Sequence, residues 1–150
     1  MDVIAARQAG FSILAGLLFG AAWWVLIDGF SYGRVVAADP NTIAAQGYAW
    51  LPLFSASIGF ILINLMQWSE LQDNRENPMI AAKARIFLVF MLFIIMGSLG
   101  GAVFIMTDKF LGQVGSYQWA GISCFVGTGL ITLATFVMRI GTIPLGSSEM

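Results

Sequence analysis

The chain has 150 residues, a formal net charge of −1, 59% hydrophobic residues and only 10% charged ones. Soluble domains carry about 45–50% apolar and about 25% charged residues, so this composition excludes an ordinary soluble fold. No basic run is longer than a pair, which excludes the usual nucleic-acid binder.

The apolar residues fall in blocks separated by short polar stretches. Four runs, at 9–27, 51–68, 86–107 and 120–138, are long enough to cross the ~30 Å hydrocarbon core of a bilayer as helices. None alternates polar with apolar residues, so a transmembrane barrel is disfavoured, and helices are the remaining way to satisfy a backbone in lipid. The sequence therefore predicts an all-α protein, a single four-helix transmembrane domain over residues 1–150.

The first run has an apolar core from Phe11 to Ile27 that exceeds the about 7–15 residues of a signal peptide and ends in bulky indoles. It reads as a retained helix. Ser12, Gly16 and Gly20 form a small-residue face expected to pack on protein, Trp23 and Trp24 follow, and Asp28 stands where the run stops. In the next loop Asp39-Pro40 is a helix-start signal, and Gly47 and Pro52 mark a break or kink before the second span. The second span carries Ser55 and Gly59 four apart, and Asn64 deep within it. Asn64 is costly in lipid unless bonded and reads as glue between helices.

Asn77-Pro78 repeats the start signal, so the third helix is expected to begin near Pro78. From there to Thr107 it would rise roughly 45 Å, about two turns more than the lipid needs. Gly97-Ser98-Leu99-Gly100-Gly101 gives this span a small-residue face suited to close packing inside the bundle or to docking another membrane protein. The fourth span has Ser123 and Gly127 four apart, then Thr128, Thr132 and Thr135, whose hydroxyls, like that of Ser98, can bond back to their own helix. Pro144 is expected to end it.

Charge decides orientation. With four spans, Arg7, Arg75, Lys83, Arg85 and Arg139 share one side, and only Arg34 and Lys109 lie on the other. The positive-inside rule then places both termini in the cytosol. Seven of the Trp and Tyr rings gather towards the opposite face and only Trp68 marks the cytosolic one, a one-sided aromatic collar.

Chemistry-bearing residues are few. Histidine is absent and the single cysteine, Cys124, lies in an apolar block, so the chain offers neither a disulfide framework nor a cysteine metal site. No nucleophile–base pair, metal cluster or phosphate loop is present, and the expectation is a protein that is not an enzyme, with no cofactor and no small-molecule substrate. Charged groups within a membrane are functional flags, and here each sits at or beyond a span end. Asp28 is the one worth weighing. It is either a solvated boundary acid, or a group paired with Arg34 or Lys109, or hydrogen-bonded to an indole, fixing the first helix in the bundle. Asp108 reads as a boundary acid beside Lys109. Candidate structural or partner-contact residues are Asp28, Trp23, Trp24, Asn64, Arg85, Gly97, Ser98 and Gly101.

The chain resembles the transmembrane protein 50 family, also called uncharacterised protein family 0220, which includes the fungal vacuolar protein sorting protein 68. The resemblance rests on Gly16-x-Leu18-Phe19 leading to Trp23-Trp24 and Ile27-Asp28, on Gly59 with Ile63-Asn64, on Ala84-Arg85, and on Phe90-Met91-Leu92 running to Gly97-Ser98-Leu99. Gly121 and the run to Arg139-Ile140-Gly141 fit more loosely. It implies a four-span protein of endosomal, vacuolar, Golgi or ER membranes, with a role in late endosome-to-vacuole or lysosome sorting. It also implies a partner, a second small polytopic protein similar to vacuolar protein sorting protein 55. The alternative is an accessory subunit of a large respiratory or translocation assembly.

Overall fold

The computed structural model describes residues 3–37, 47–66, 78–111 and 117–142. Four helices make up this part of the chain, and no strand occurs among the described residues. Helix α1 runs Val3–Ala37. A 3₁₀ turn, Gly47–Trp50, feeds α2, Leu51–Leu65. Helix α3 runs Pro78–Ile105 and continues into a π-helical turn, Met106–Phe110. Helix α4 runs Tyr117–Thr142. Counting the 3₁₀ turn with α2 and the π-helical turn with α3, all four are long and apolar enough to cross a membrane.

The prolines act where their chemistry allows. Pro78 opens α3 and Pro52 lies in the first turn of α2, positions where a missing N–H has no helical partner to lose. The helix type changes at Gly47–Trp50, beside the first of the two expected break points, while Pro52 sits inside α2 without breaking it. The Asp39-Pro40 signal, Trp68, most of the loop between α2 and α3, and Pro144 lie outside the described residues. The largest departure from the sequence boundaries is α1, which continues past Ile27 to Ala37. Apolarity sets how much of a helix lies in lipid, whereas backbone bonding and breakers set its length, and no proline interrupts residues 28–37.

Side-chain bonds at the helix ends fix the arrangement. Arg7 Nη2 donates to the Ile140 carbonyl at 3.2 Å, so the start of α1 lies beside the end of α4 and the two helices are antiparallel. Arg139 Nη1 donates to the Met66 carbonyl at 3.3 Å, which brings the end of α2 to the same level. Arg7, Met66 and Arg139 thus mark one end of the bundle. Asp28, Trp50, Phe110 and Trp119 mark the other.

Glycines let the backbones meet. A Cβ at Gly127 would stand 3.0 Å from the Ala22 carbonyl oxygen of α1 and 3.1 Å from Leu53 Cδ1 of α2. A Cβ at Gly29 would collide with Ser123, and one at Gly141 with Phe11. These three contacts run the length of the α1–α4 seam. Helix α2 meets α3 where Gly59 receives Ile95, 2.6 Å from an added Cβ, and Gly121 of α4 receives Phe110 in the same way. Helices α1 and α2 are joined by rings instead. Phe19 stacks on Phe60 with centroids 5.1 Å apart, and Trp23 meets Phe54 edge-on at 5.1 Å. Phe30 and Trp50 do the same at 4.9 Å. Hydroxyls inside this core bond back to their own helices, Thr128 to Cys124, Thr132 to Thr128 and Thr135 to Ile131.

Two small-residue faces are left wholly or partly open. A Cβ at Gly16, Gly20 or Gly97 would meet nothing within 4 Å, and one at Gly101 would reach only Pro52 Cγ at 3.9 Å. Ser12 is exposed. Helix α1 presents Ala15, Ala22, Leu26 and Gly29 to the core, a face about a third of a turn from Ser12, Gly16 and Gly20. Among the described residues this second set packs on no other helix, so the expectation is corrected as far as packing inside the bundle goes. Gly127→Leu and Gly29→Leu should each lower thermal stability in detergent, by about 1–3 kcal/mol or more, because overpacking displaces backbone. Gly97→Leu should melt like the parent; equal loss at all three positions would contradict this packing.

Candidate functional site

Three places gather the residues flagged in the sequence: the Asp28 end, the open face around Gly97, and the basic end. Asp28 lies on α1 at the height of the α4 start. From Arg7 to Asp28 the helix rises about 31 Å, and from Trp119 to Arg139 about 30 Å, each close to the thickness of the hydrocarbon core. Asp28 and Trp119 therefore sit together at one boundary. Trp119 Nε1 donates to Asp28 Oδ2 at 3.1 Å. The boundary acid is thus hydrogen-bonded to an indole, and that indole is a ring of the aromatic collar.

Lys109 is engaged elsewhere. It pairs with its neighbour Asp108 at 2.6 Å, both half-exposed. Such a pair contributes about 0–1 kcal/mol. The Arg34 side chain lies outside the described residues. Because α1 continues to Ala37, Asp28 is more than two turns from the helix C-terminus. The dipole penalty fades within the last turn, so none is to be offset here.

The two indoles beside Asp28 diverge. Trp23 is half-buried against Phe54, and Trp50 joins Phe30 and Phe54, so these rings make a continuous strip across α1 and α2. Trp24 points outward, 74% exposed. Asn64 is half-buried on α2, and among the described residues no hydrogen bond joins it to another helix. Its expected role as interhelical glue is corrected: the α2–α3 polar link is Ser55 Oγ with Ser98 Oγ at 2.7 Å. Ser98 also donates to Ile94 O at 2.6 Å, so one buried hydroxyl serves both helices. Arg85 is exposed near the start of α3.

Gly97, Ser98 and Gly101 form one wall of an outward-facing groove of about 420 Å³, and Leu51, Pro52 and Ser55 form the facing wall. The groove is lined by apolar groups apart from the serine pair at its floor and Tyr48 at its rim. Among the described residues no three His, Cys, Asp or Glu side chains come together to hold a metal ion.

Sequence reasoning missed two structural devices. The π-helical turn, closed by Leu111 N–H to Met106 O at 3.0 Å, carries Phe110 inward to 1% exposure against Gly121. Cys124 donates through Sγ to the Ala49 carbonyl at 3.5 Å, tying the 3₁₀ turn to α4. An aromatic residue beside a charged pair was the only hint of the first, and nothing local signals the second.

A four-span α-helical membrane protein, in which Asp28, Trp23 and Ser98 join helices while Trp24, Arg85 and Gly97 face outward, is the class defined here. The chain belongs to the Uncharacterised protein family (UPF0220), which matches residues 1–143. It is 31% identical over 133 residues to the Transmembrane protein 50 homolog of Dictyostelium discoideum, covering 83% of this chain and 84% of that one. It is 25% identical over 142 residues to a UPF0220 protein of Schizosaccharomyces pombe, covering 91% of this chain and 82% of the relative. No solved structure matches the chain.

If the Asp28–Trp119 bond locks α1 to α4, Asp28→Ala and Trp119→Phe should each cost about 0.5–1.5 kcal/mol, and the double variant little more than either. Asp28→Asn keeps an acceptor and should be milder. Melting all four variants in one detergent checks it; fully additive losses would show that the two side chains act independently.

Proposed function

We propose that this protein is a non-enzymatic subunit of a small complex in endomembranes, acting in sorting from late endosomes to the vacuole or lysosome. The observation that carries the subunit reading is the groove around Gly97 and Gly101, where backbone lies open to the lipid side with no described helix of this chain upon it. Small residues allow a second helix to approach closely where lipid offers no hydrophobic drive for association. The trafficking part rests on the resemblance to vacuolar protein sorting protein 68, and the partner it suggests is a small polytopic protein similar to vacuolar protein sorting protein 55. The non-enzymatic part rests on the sequence, which offers no nucleophile–base pair, metal cluster or phosphate loop.

Both termini are proposed to face the cytosol. The structure puts the start of α1 and the end of α4 at one end of the bundle, and that end holds Arg7, Lys83, Arg85 and Arg139. The opposite end faces the lumen, with Asp28, Asp108 and Lys109. In a Cys124→Ser background, Met79→Cys should label from the cytosol and Lys109→Cys from the lumen. Labelling from a common side would overturn the crossing of α3, and exchanged sides would overturn the orientation.

Organelle fractionation with a native gel tests the function. The expected result is a small complex in late endosomal or vacuolar membranes, and Gly97→Leu should release the partner without lowering the melting temperature. Migration in a large respiratory or translocation assembly would replace this reading with that of an accessory subunit.

A further inference from the structure

The basic end of the bundle has a cleft of its own. Ile80, Lys83, Ala84 and Phe87 recur at helical spacing along one stripe of α3, and Leu65 and Met66 face them from the end of α2. The space between is about 430 Å³ and opens outward. Its walls are apolar but for Lys83. No carboxylate pairs with that ammonium among the described residues, whereas Lys109, at the other end, is neutralised by Asp108.

Depth identifies what reaches such a cleft. The Arg139 bond to the Met66 carbonyl puts Met66 at the level where charged side chains sit, and the Arg7 bond to the Ile140 carbonyl marks the same level on α1 and α4. Lys83 lies in the second turn of α3, so its amine is at the headgroup layer. Phe87 is one turn deeper, where acyl chains begin. Apolar walls below and a cation above, with no carboxylate on it among the described residues, match the two halves of a phospholipid. A lysine binds phosphate as a point charge, and basic pockets between helices on this side of a membrane suit anionic headgroups. A zwitterionic lipid brings its own cation to the same place and gains less.

We infer that this cleft holds one anionic phospholipid, its headgroup on Lys83 and an acyl chain along Leu65, Ile80 and Phe87. The inference is independent of the trafficking reading, since it concerns the bundle in any membrane with anionic lipid. The test uses the full chain in neutral detergent, offered equimolar phosphatidylserine and phosphatidylcholine and weighed by native mass spectrometry. One bound phosphatidylserine in preference to phosphatidylcholine is expected. Lys83→Gln should lower the ratio about fivefold, the weight of one lysine near an anionic surface, and Lys109→Gln should leave it unchanged. Ile80→Trp, at a position already 47% exposed, should fill the cleft and reduce retention of both lipids. Melting curves establish that each variant is folded. Equal retention of the two lipids, no retention by the folded parent, or a preference that survives Lys83→Gln would overturn the site.

Discussion

The close antiparallel approach of α1 and α4 is the constraint on which the bundle depends. Lipid tails are as apolar as leucine, so burial alone does not draw membrane helices together, and contact must come from packing and polar bonds. This seam has both. Gly29 against Ser123, Gly127 against the Ala22 backbone and Gly141 against Phe11 set the separation along its whole length. Asp28 with Trp119 closes one end, and Arg7 with the Ile140 carbonyl closes the other. The glycines fix distance and the end bonds fix register, so neither set is sufficient without the other.

Helix α4 is the hub of the structure, because every other helix rests on it. Its apolar stretch is 50% buried, against 22% for that of α3. Helix α2 enters through Leu53 beside Gly127, and α3 through Phe110 beside Gly121. The π-helical turn makes that last contact possible by turning Phe110 inward while Asp108 and Lys109 remain in the polar layer. Helix α3 is otherwise held by α2 through Ile95 in the Gly59 notch and the shared Ser55–Ser98 hydrogen. It consequently leaves a groove on each side of that contact, one floored by serines within the span and one capped by Lys83 at the boundary.

The number of spans, the start of α3 at Pro78 and the self-satisfied threonines of α4 were legible because each follows from local chemistry: apolar length, a missing N–H, a hydroxyl within reach of its own carbonyl. The boundary position of Asp28 was legible for the same reason, but its partner was not, because Trp119 is distant in the chain and joins it only through the fold. Small residues four apart proved ambiguous. Ser55, Gly59, Ser123 and Gly127 meet neighbours, whereas Gly16, Gly20 and Gly97 do not. A glycine marks where a backbone can be approached. Whether it is approached depends on a bulky residue of another helix at that height, such as Ile95, Phe110 or Phe11, and spacing carries no information about that. The end of α1 was misplaced because hydropathy reports the lipid crossing and not the last helical hydrogen bond.

The most direct test of the α1–α4 seam is intramolecular cross-linking in native membranes, in a Cys124→Ser background with a short bifunctional thiol reagent. Asp28→Cys paired with Trp119→Cys, and Arg7→Cys paired with Ile140→Cys, should both yield a cross-linked monomer. Asp28→Cys paired with Leu65→Cys, at opposite ends of the bundle, should not. Failure of either seam pair in a folded protein, or a cross-link between Asp28→Cys and Leu65→Cys, would contradict the antiparallel arrangement on which the rest of the structure stands.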